Sequence, residues 1–167
     1  RAAGVVIHEE SRVTEISRTD PALVKTAKGT VKASHVILAC NAYLGMLEPR
    51  VAGMIMPINN FILATEPLGD DARKLIRDDV CIQDTKFVID YYRLSADGRL
   101  LFGGGESYSP NLPKDLAAFV RKPMLRVFPQ LENRRIDYAW SGAVAITLKR
   151  MPHFGRLEPN IVWAHGY

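Results

Sequence analysis

The stretch that decides the fold occupies residues 91–105 and reads YYRLSADGRLLFGGG. Its residues 95–98 are a strong turn signal between two runs of strand-forming residues. We therefore expect the two runs to pair as antiparallel strands. Because successive residues of a strand point to opposite faces of the sheet, Tyr91 and Arg93 should share one face while Tyr92 lies on the other.

Strand signals continue towards the amino terminus. Residues 5–7 form a short apolar run, and the turn signal Lys28-Gly29 predicts a compact hairpin between residues 23–26 and 30–32. Residues 35–39 form a near-continuous apolar run, which is typical of a strand covered on both faces.

Helix signals are fewer. Asn41 is placed to cap a short helical patch, which Pro49 should end. Residues 113–128 predict the best helix, and Pro123 should kink or split it. Its apolar residues recur at helical spacing along one face. They are Leu116, Val120, Met124 and Val127.

The remaining signals complete the fold class. Two long strands are predicted, one over residues 58–66, which stop before Pro67, and one over residues 136–148. A short strand is predicted over residues 161–164 and a charged helix over residues 70–77. The chain is strand-rich with a few helices. This predicts an α+β fold with a mixed or antiparallel sheet, helices on one of its faces, and part of a second sheet attached.

Composition excludes several classes of protein. Of the 167 residues, 47% are hydrophobic and 24% charged, which is enough to bury a core and argues against disorder. No apolar run approaches the roughly 20 residues needed to span a bilayer. No signal peptide is recognised. The chain begins at Arg1 rather than Met, so we expect a piece of a longer protein.

The charge distribution and the cysteine spacing limit the kinds of binding partner and metal site that are expected. The net charge of +4 comes from basic residues in separate pairs, which favours a solvated surface over a nucleic-acid site. Cys40 and Cys81 form no metal or redox spacing, so buried free thiols in a reducing cytoplasm are expected. The histidines are scattered and make no ligand set, so no metal is predicted.

Three segments leave their role open. The run Gly103-Gly104-Gly105 lacks the spacing of a dinucleotide fingerprint, and its backbone passes close either to a flat ligand or to a neighbouring strand. The face of Tyr91 and Arg93 is either a pocket wall for a small polar substrate or an exposed edge. The glycine in residues 140–142 marks either ligand approach or ordinary sheet packing.

The order of these segments resembles a known family. It is similar to the FAD-dependent amine and amino-acid oxidases of the D-amino-acid oxidase superfamily, which includes glycine and sarcosine oxidases, and the γ-glutamylputrescine oxidase group is nearest. The resemblance covers nearly the whole chain. The segments that carry it are residues 11–16, 36–43, 62–68, 92–105, 128–131, 140–142 and 160–167.

The resemblance implies FAD as the cofactor and a division of the chain. Residues 1–50 would form an edge of the FAD-binding domain, residues 51–148 the substrate-binding domain, and residues 149–167 a strand returning to the FAD domain. No catalytic residue is identified. The implied cofactor contacts are Val13, Ala39, Cys40, Asn41, Gly142, Gly166 and Tyr167, and the implied substrate contacts are Tyr92, Arg93 and Trp140.

Two flavin-binding segments of the family bear on cofactor retention. The family's dinucleotide glycine motif would precede Arg1, and Ala164-His165-Gly166 resembles the loop that closes over the flavin. FAD is therefore expected in the whole protein, but these 167 residues alone are not expected to retain it.

The implied reaction is oxidation of an amine C–N bond to an imine or aldehyde, with electrons passing to FAD and then to O2. Amino-acid oxidases of the family carry an arginine for the substrate carboxylate after the tryptophan, and residues 142–147 contain none. A small-molecule amine such as γ-glutamylputrescine is therefore expected as substrate. Arg93 would either bind its distal carboxylate or pair with Asp90 or Glu106.

Two other functions stay open. One is a non-catalytic binding or assembly domain of the same fold, and the other is an oxidase of the D-amino-acid or sarcosine type. A homo-oligomer is also left open, whereas no nucleic-acid or membrane partner is expected.

Overall fold

The computed structural model describes residues 3–166, which fall into two compact units. The first unit takes its residues from 3–56 and 145–166, and the second is continuous over 57–144. None of the helices in residues 3–166 has the length and apolar character needed to cross a membrane. The functional roles expected for residues 1–50, 51–148 and 149–167 stay predictions.

The described residues form mostly strands, as the sequence pattern predicts. The strands are β1 (Val13–Ile16), β2 (Ala22–Thr26), β3 (Gly29–Ala33), β4 (Val36–Leu38), β5 (Ile55–Thr65), β6 (Ile82–Gln83), β7 (Tyr91–Leu94), β8 (Leu100–Ser107), β9 (Ile136–Thr147), β10 (His153–Glu158) and β11 (Ile161–His165). The α-helices are α1 (Pro49–Ala52), α2 (Asp71–Leu75) and α3 (Leu116–Val127). The α+β class is confirmed.

The first unit contains two three-stranded sheets. Strands β1, β2 and β3 pair antiparallel, and the β2–β3 pair is the hairpin predicted around Lys28-Gly29. In the other sheet β11 lies between β10 and β4. It pairs antiparallel with β10 and parallel with β4. Because β4 and β11 are parallel, their carboxyl ends lie at the same edge of this sheet.

A five-stranded sheet with the order β6-β7-β8-β5-β9 organises the second unit. The predicted antiparallel pair is β7 and β8, with Tyr91 opposite Gly103 and Tyr92 opposite Phe102. The turn between them closes because the Ser95 hydroxyl accepts a hydrogen bond from the Arg99 N–H at 3.0 Å.

Helix α3 covers one face of this sheet. Its side chains Val120 and Met124 are fully buried against Phe102 and the other large residues of the core. The Asp115 carboxylate caps the helix by accepting a hydrogen bond from the Ala118 N–H at 2.9 Å. The helix runs through Pro123 as one element, so the predicted split does not occur.

The capping role expected for Asn41 is wrong, whereas the stop expected at Pro49 is found. Asn41 does not cap a helix: it lies inside a short 3₁₀ turn with a φ of 49°, and Cys40 occupies the cap position without a side-chain bond. The helical patch does end before Pro49, at the extended Glu48, but Pro49 then begins α1, which the Glu48 carboxylate caps by accepting from the Arg50 N–H.

Three burial or strand expectations are also wrong. Residues 5–7 form no strand and are exposed, because they pair with no other strand of residues 3–166. Strand β4 is not covered on both faces: Leu38 is buried while Ile37 is exposed on an edge strand. Cys81 is exposed because it precedes β6, the two-residue strand at the edge of the large sheet, and Cys40 is half-buried.

The core of the second unit predicts a contrast between two leucine truncations. Leu100→Ala removes a fully buried side chain of the core, whereas Leu112→Ala removes one that is 47% exposed. Loss of burial and the cavity left behind should lower the free energy of unfolding by about 2–5 kcal/mol for the first variant. The second should change it by less than about 1 kcal/mol. Urea unfolding of the whole protein measures both, and equal losses would contradict this core.

Candidate functional site

A cavity of about 360 Å³ lies on the face of the large sheet opposite α3. Its walls are mostly apolar and aromatic, which suits a small ligand with a carbon chain. All three side chains predicted to bind substrate border it. The lining residues are Ile62, Cys81, Ile82, Gln83, Tyr91, Tyr92, Arg93, Leu101, Gly103 and Trp140. We call this hollow the sheet-face cavity.

The Tyr91 ring forms part of the wall by lying across Gly103. A Cβ atom on Gly103 would sit 2.1 Å from Tyr91 Cζ, so only glycine fits beneath the ring. The Tyr91 hydroxyl donates a hydrogen bond to Asn60 Oδ1 at 2.9 Å, and burial raises the pKa of that phenol, which keeps it protonated. The ring is thereby fixed across three neighbouring strands.

The glycine run is explained by neighbouring side chains. Beside Gly103, a Cβ on Gly104 would lie 2.6 Å from Asp90 Oδ1, and one on Gly105 would lie 2.6 Å from the Phe119 ring. Of the two interpretations left open by the sequence, close approach of another strand accounts for Gly103. Its register partner Tyr91 was expected on a possible pocket face, but its position over Gly103 follows from the register of β7 and β8.

Tyr92 borders the cavity, but its ring belongs to the core. That ring stacks on Phe102 with 5.5 Å between centroids and meets Phe128 edge-on at 5.0 Å. The aromatic surfaces that face the cavity without belonging to the core are therefore those of Tyr91 and of Trp140, which is 43% exposed. Trp140 and Gly142 share a face of β9 because they are two residues apart.

Arg93 lies at an exposed position of the cavity wall. Its Nη2 donates to Asp79 Oδ1 at 3.0 Å and its Nε to the Leu94 carbonyl at 3.2 Å. The partner is thus Asp79, whereas Asp90 binds Lys86 Nζ at 2.5 Å. Both members of the Arg93–Asp79 pair are well exposed, and such pairs contribute little to stability. The guanidinium can therefore exchange this partner for an anionic ligand.

Two further cavity residues were not predicted. Gln83 and Cys81 line it from the edge strand, and they add an amide and a thiol to an otherwise apolar wall. A two-residue strand gives too short a pattern to be found in the sequence. The pairing of Ile82 with Tyr92 brings this strand to the cavity.

A second candidate site lies in the first unit, at the shared carboxyl edge of β4 and β11. The Gly166 N–H donates to Asn41 Oδ1 at 3.1 Å, which ties the residues that follow the two strands together. Gly166 has a φ of 72°, and a Cβ there would lie 2.5 Å from Thr147 Cγ2, so a larger residue would be strained and crowded. Ligands bind preferentially outside the carboxyl ends of parallel strands.

A cavity of about 540 Å³ adjoins this edge and brings Val13 together with Cys40. Of the predicted cofactor contacts, the structure thus pairs Val13 with Cys40 and Asn41 with Gly166. Ala39, which directly precedes Cys40 in the sequence, is exposed. Gly142 belongs to the second unit, and Tyr167 lies outside the described residues. The cofactor role of all these residues stays a prediction.

No metal ligand set accompanies either site within residues 3–166: no three His, Cys, Asp or Glu side chains come together there.

Comparison with known proteins gives consistent matches. The family described as FAD dependent oxidoreductase (DAO) matches residues 1–167. The chain is 47% identical to γ-glutamylputrescine oxidoreductase of Escherichia coli strain K12, covering 100% of this chain and 40% of that protein. It is 46% identical to the probable oxidoreductase OrdL of Haemophilus influenzae, covering 98% of this chain and 38% of that protein.

Solved structures show the same fold. Glycine oxidase from Geobacillus kaustophilus superposes with a TM-score of 0.76 at 19% identity, over 98% of this chain and 44% of that one. L-proline dehydrogenase from P. horikoshii superposes with a TM-score of 0.71 at 23% identity, over 95% of this chain and 44% of that one. The chain spans about two fifths of the length of the curated relatives it matches.

The contact between Tyr91 and Gly103 predicts a reciprocal rescue. Gly103→Ala should lower the thermal stability of the whole protein because its Cβ would overlap the Tyr91 ring. Tyr91→Ala removes the ring, so Gly103→Ala should lower the melting temperature much less in the Tyr91→Ala background than in the wild-type background. Differential scanning fluorimetry of the four proteins gives the coupling. An equal loss from Gly103→Ala in both backgrounds would show that the ring does not occupy this space.

Proposed function

The chain belongs to the DAO family of FAD-dependent oxidoreductases, and from this we propose that the whole protein oxidises a C–N bond of a small amine that also carries a carboxylate. The family membership implies FAD as its cofactor. When bound, FAD accepts two electrons from the amine as a hydride equivalent. The substrate loses a C–H and an N–H hydrogen and becomes an imine, which water hydrolyses to an aldehyde with release of ammonia. Oxygen is the proposed final acceptor and is reduced to hydrogen peroxide.

A γ-glutamylated diamine is the proposed substrate. The main support is the relative named γ-glutamylputrescine oxidoreductase, which is 47% identical over the full length of this chain. Such a substrate has a long methylene chain, a reactive amine at one end and a carboxylate at the other. Three different surfaces are therefore needed to bind it.

The sheet-face cavity offers chemistry that suits such a molecule. Ile62, Leu101 and the rings of Tyr91 and Trp140 can pack on methylene groups and exclude water. Aromatic faces also attract an ammonium group. At the cavity wall, Arg93 offers a planar guanidinium, which can bind a carboxylate through two parallel hydrogen bonds.

The absence of an arginine in residues 142–147 supports a distal carboxylate over an α-carboxylate. This segment forms the end of β9, and its positions facing the same side as Trp140 by strand alternation are Gly142, Val144 and Ile146. None of these residues can pair with an anion. The cation that borders the cavity is instead Arg93, on β7.

The carboxyl edge of the first unit fits a dinucleotide cofactor. It combines a glycine with a positive φ, a side-chain amide that fixes the backbone, and an adjoining cavity lined by both polar and apolar residues, Val13 among them. Val13, Cys40, Asn41 and Gly166 would hold FAD there. Their contribution is to bind and orient the cofactor. The cytoplasmic location and the homo-oligomer stay predictions.

Steady-state kinetics of the whole protein tests the proposal. γ-Glutamylputrescine should be oxidised with a higher kcat/KM than putrescine or D-amino acids. Arg93→Met should lower kcat/KM for γ-glutamylputrescine by about tenfold or more, because hydrogen bonds to charged groups contribute about 1.5–3 kcal/mol. The same variant should change the value for putrescine by less than about threefold. Asp79→Asn, which removes the negative charge paired with Arg93, should not lower the value for γ-glutamylputrescine.

Arg126→Met is the matched control, because Arg126 is exposed on α3, which covers the opposite face of the sheet. It should match the wild type with every substrate. Fastest turnover of simple D-amino acids would contradict the assignment of the substrate class. A whole protein whose bound FAD is not reduced by any of these amines under anaerobic conditions would contradict the enzymatic proposal.

A further inference from the structure

A second hollow of the second unit adjoins the sheet-face cavity at Arg93. It has a volume of about 280 Å³ and lies between α2 and the turn that joins β7 to β8. Arg93 borders both hollows, whereas the other residues that line this one do not line the sheet-face cavity. We call it the turn-side cavity, and its charged lining residues are Arg73, Asp79 and Arg93.

Two cations and one anion line the turn-side cavity among the described residues. Arg73, on α2, donates from Nη1 to the Arg77 carbonyl at 3.1 Å and makes no ion pair with a carboxylate of residues 3–166. The carboxylate that lines the cavity, Asp79, accepts from Arg93 Nη2 at 3.0 Å. The lining therefore carries one positive charge in excess, which favours an anionic ligand.

Two acidic residues close to this cavity in sequence are engaged with other cations. The Asp71 carboxylate accepts from Lys74 Nζ at 2.7 Å and from Arg134 Nη2 at 2.6 Å. The Asp97 carboxylate accepts from Arg99 Nε at 2.7 Å. Neither acid lines the cavity, so these two carboxylates do not compensate Arg73.

The backbone around the turn-side cavity is held in place. The Leu68 N–H donates to the Gly98 carbonyl at 3.0 Å, which joins the segment before α2 to the turn after β7. On α2, Ala72 is buried in the core of the second unit. The elements that carry Arg73 and Arg93 are therefore fixed, and only the two long side chains need to move towards a ligand.

Arg93 lies between two chemically different surfaces along β7. Because a strand rises about 3.3 Å per residue and alternate residues share a face, Tyr91 and Arg93 lie about 7 Å apart on the same face. Apolar and aromatic groups surround the Tyr91 end, and the two cations are at the Arg93 end. An elongated molecule with a carbon chain and one anionic end matches this order.

We propose that the turn-side cavity binds the amino-acid end of the substrate, with the carboxylate of the γ-glutamyl group held between the guanidinium groups of Arg93 and Arg73. The proposal rests on the γ-glutamylated diamine proposed above. A γ-glutamyl group is joined through its side-chain carboxyl, so its own amino-acid carboxylate stays free, far from the reacting amine. This carboxylate displaces Asp79 from Arg93, because an exposed ion pair contributes little and is readily exchanged.

Arg73 is thereby a specificity-determining residue that selects substrates with an amino-acid end. Its planar guanidinium can bind one carboxylate oxygen or both, which a lysine does less well. The arrangement leaves the amine end of the substrate beside the rings of Tyr91 and Trp140, which attract an ammonium group.

The experiment measures binding by isothermal titration calorimetry with the whole holoenzyme. One ligand is γ-glutamylethylamide, which has the amino-acid end but no terminal amine. The other is N-acetylputrescine, which has the terminal amine but no amino-acid end. The variants are Arg73→Met, Arg73→Lys, Arg93→Met and the double Met variant. Lys74→Met is the matched control, because Lys74 is an exposed cation of the same helix that does not line the cavity.

Arg73→Met and Arg93→Met should each raise the Kd for γ-glutamylethylamide by about tenfold or more, because each removes a hydrogen bond between charged groups. Arg73→Lys should raise it less, and Lys74→Met should stay within about threefold of the wild type. The double Met variant should lose less affinity than the product of the two single losses, since both arginines bind one carboxylate. The Kd for N-acetylputrescine should change by less than about threefold throughout.

Three results would overturn the inference. The first is a Kd for γ-glutamylethylamide that Arg73→Met leaves unchanged, or a wild-type protein that does not bind this ligand. The second is an equal loss of affinity for N-acetylputrescine, which indicates general damage to the site. The third is a double Met variant whose loss equals the product of the single losses, which places the two arginines on different groups.

These results are distinguishable from a failure of the proposed function. The titrations involve no oxidation, so they are unaffected if no amine reduces the wild-type flavin, a result that contradicts the proposed reaction. Rapid oxidation of γ-glutamylputrescine by the wild type, together with an unchanged Kd in Arg73→Met, contradicts this inference and leaves the proposed reaction in place.

Discussion

The contact between the Tyr91 ring and the backbone of Gly103 is the constraint on which the sheet-face cavity depends. The ring lies flat over a position where any Cβ would overlap it, and its hydroxyl reaches Asn60 on the next strand. One side chain of β7 therefore fixes its position relative to both β8 and β5. On the other side of β8, Phe102 packs under α3, so the same pair of strands builds the core and the cavity wall together.

The geometry of the two candidate sites depends on different features of strand pairing. The sheet-face cavity depends on the alternation of strand residues, which sends Phe102 to the core and Gly103 to the cavity. The edge of the first unit depends on parallel pairing, which brings the residues after β4 and β11 together without a turn between them. The hydrogen bond from Gly166 to Asn41 fixes that arrangement, and the unpartnered nitrogens of His165 lie one residue away.

The sequence predicts well those features that depend on local signals. The turn at residues 95–98, the hairpin around Lys28-Gly29 and the apolar face of α3 are all found where the pattern placed them. Errors occur where distant residues decide. Asn41 has the residue type of a helix cap, but its amide binds Gly166, which is 125 positions away. Cys81 lies among apolar residues in sequence, but it borders an open cavity because β6 is an edge strand.

The candidate sites were predictable only in part. Strand alternation placed Arg93 on a possible pocket face, the family resemblance assigned Arg93 and Trp140 to the substrate, and both border the same cavity. Tyr91 was expected on a possible pocket face, and His165 in a segment that resembles a flavin-closing loop, but two of their properties come from tertiary structure: the ring over a glycine in one case and the absence of any partner within residues 3–166 in the other. Neither property has a local sequence signal. The ion pair of Arg93 with Asp79, rather than with Asp90 or Glu106, likewise depends on tertiary structure.

The most direct measurement is a crystal structure of the whole holoenzyme with an unreactive analogue of γ-glutamylputrescine. The account predicts that the methylene chain of the analogue lies against Tyr91 and Trp140, with its carboxylate on the guanidinium of Arg93. An analogue bound away from this sheet face, or one whose carboxylate is held by other residues while Arg93 keeps Asp79, would contradict it.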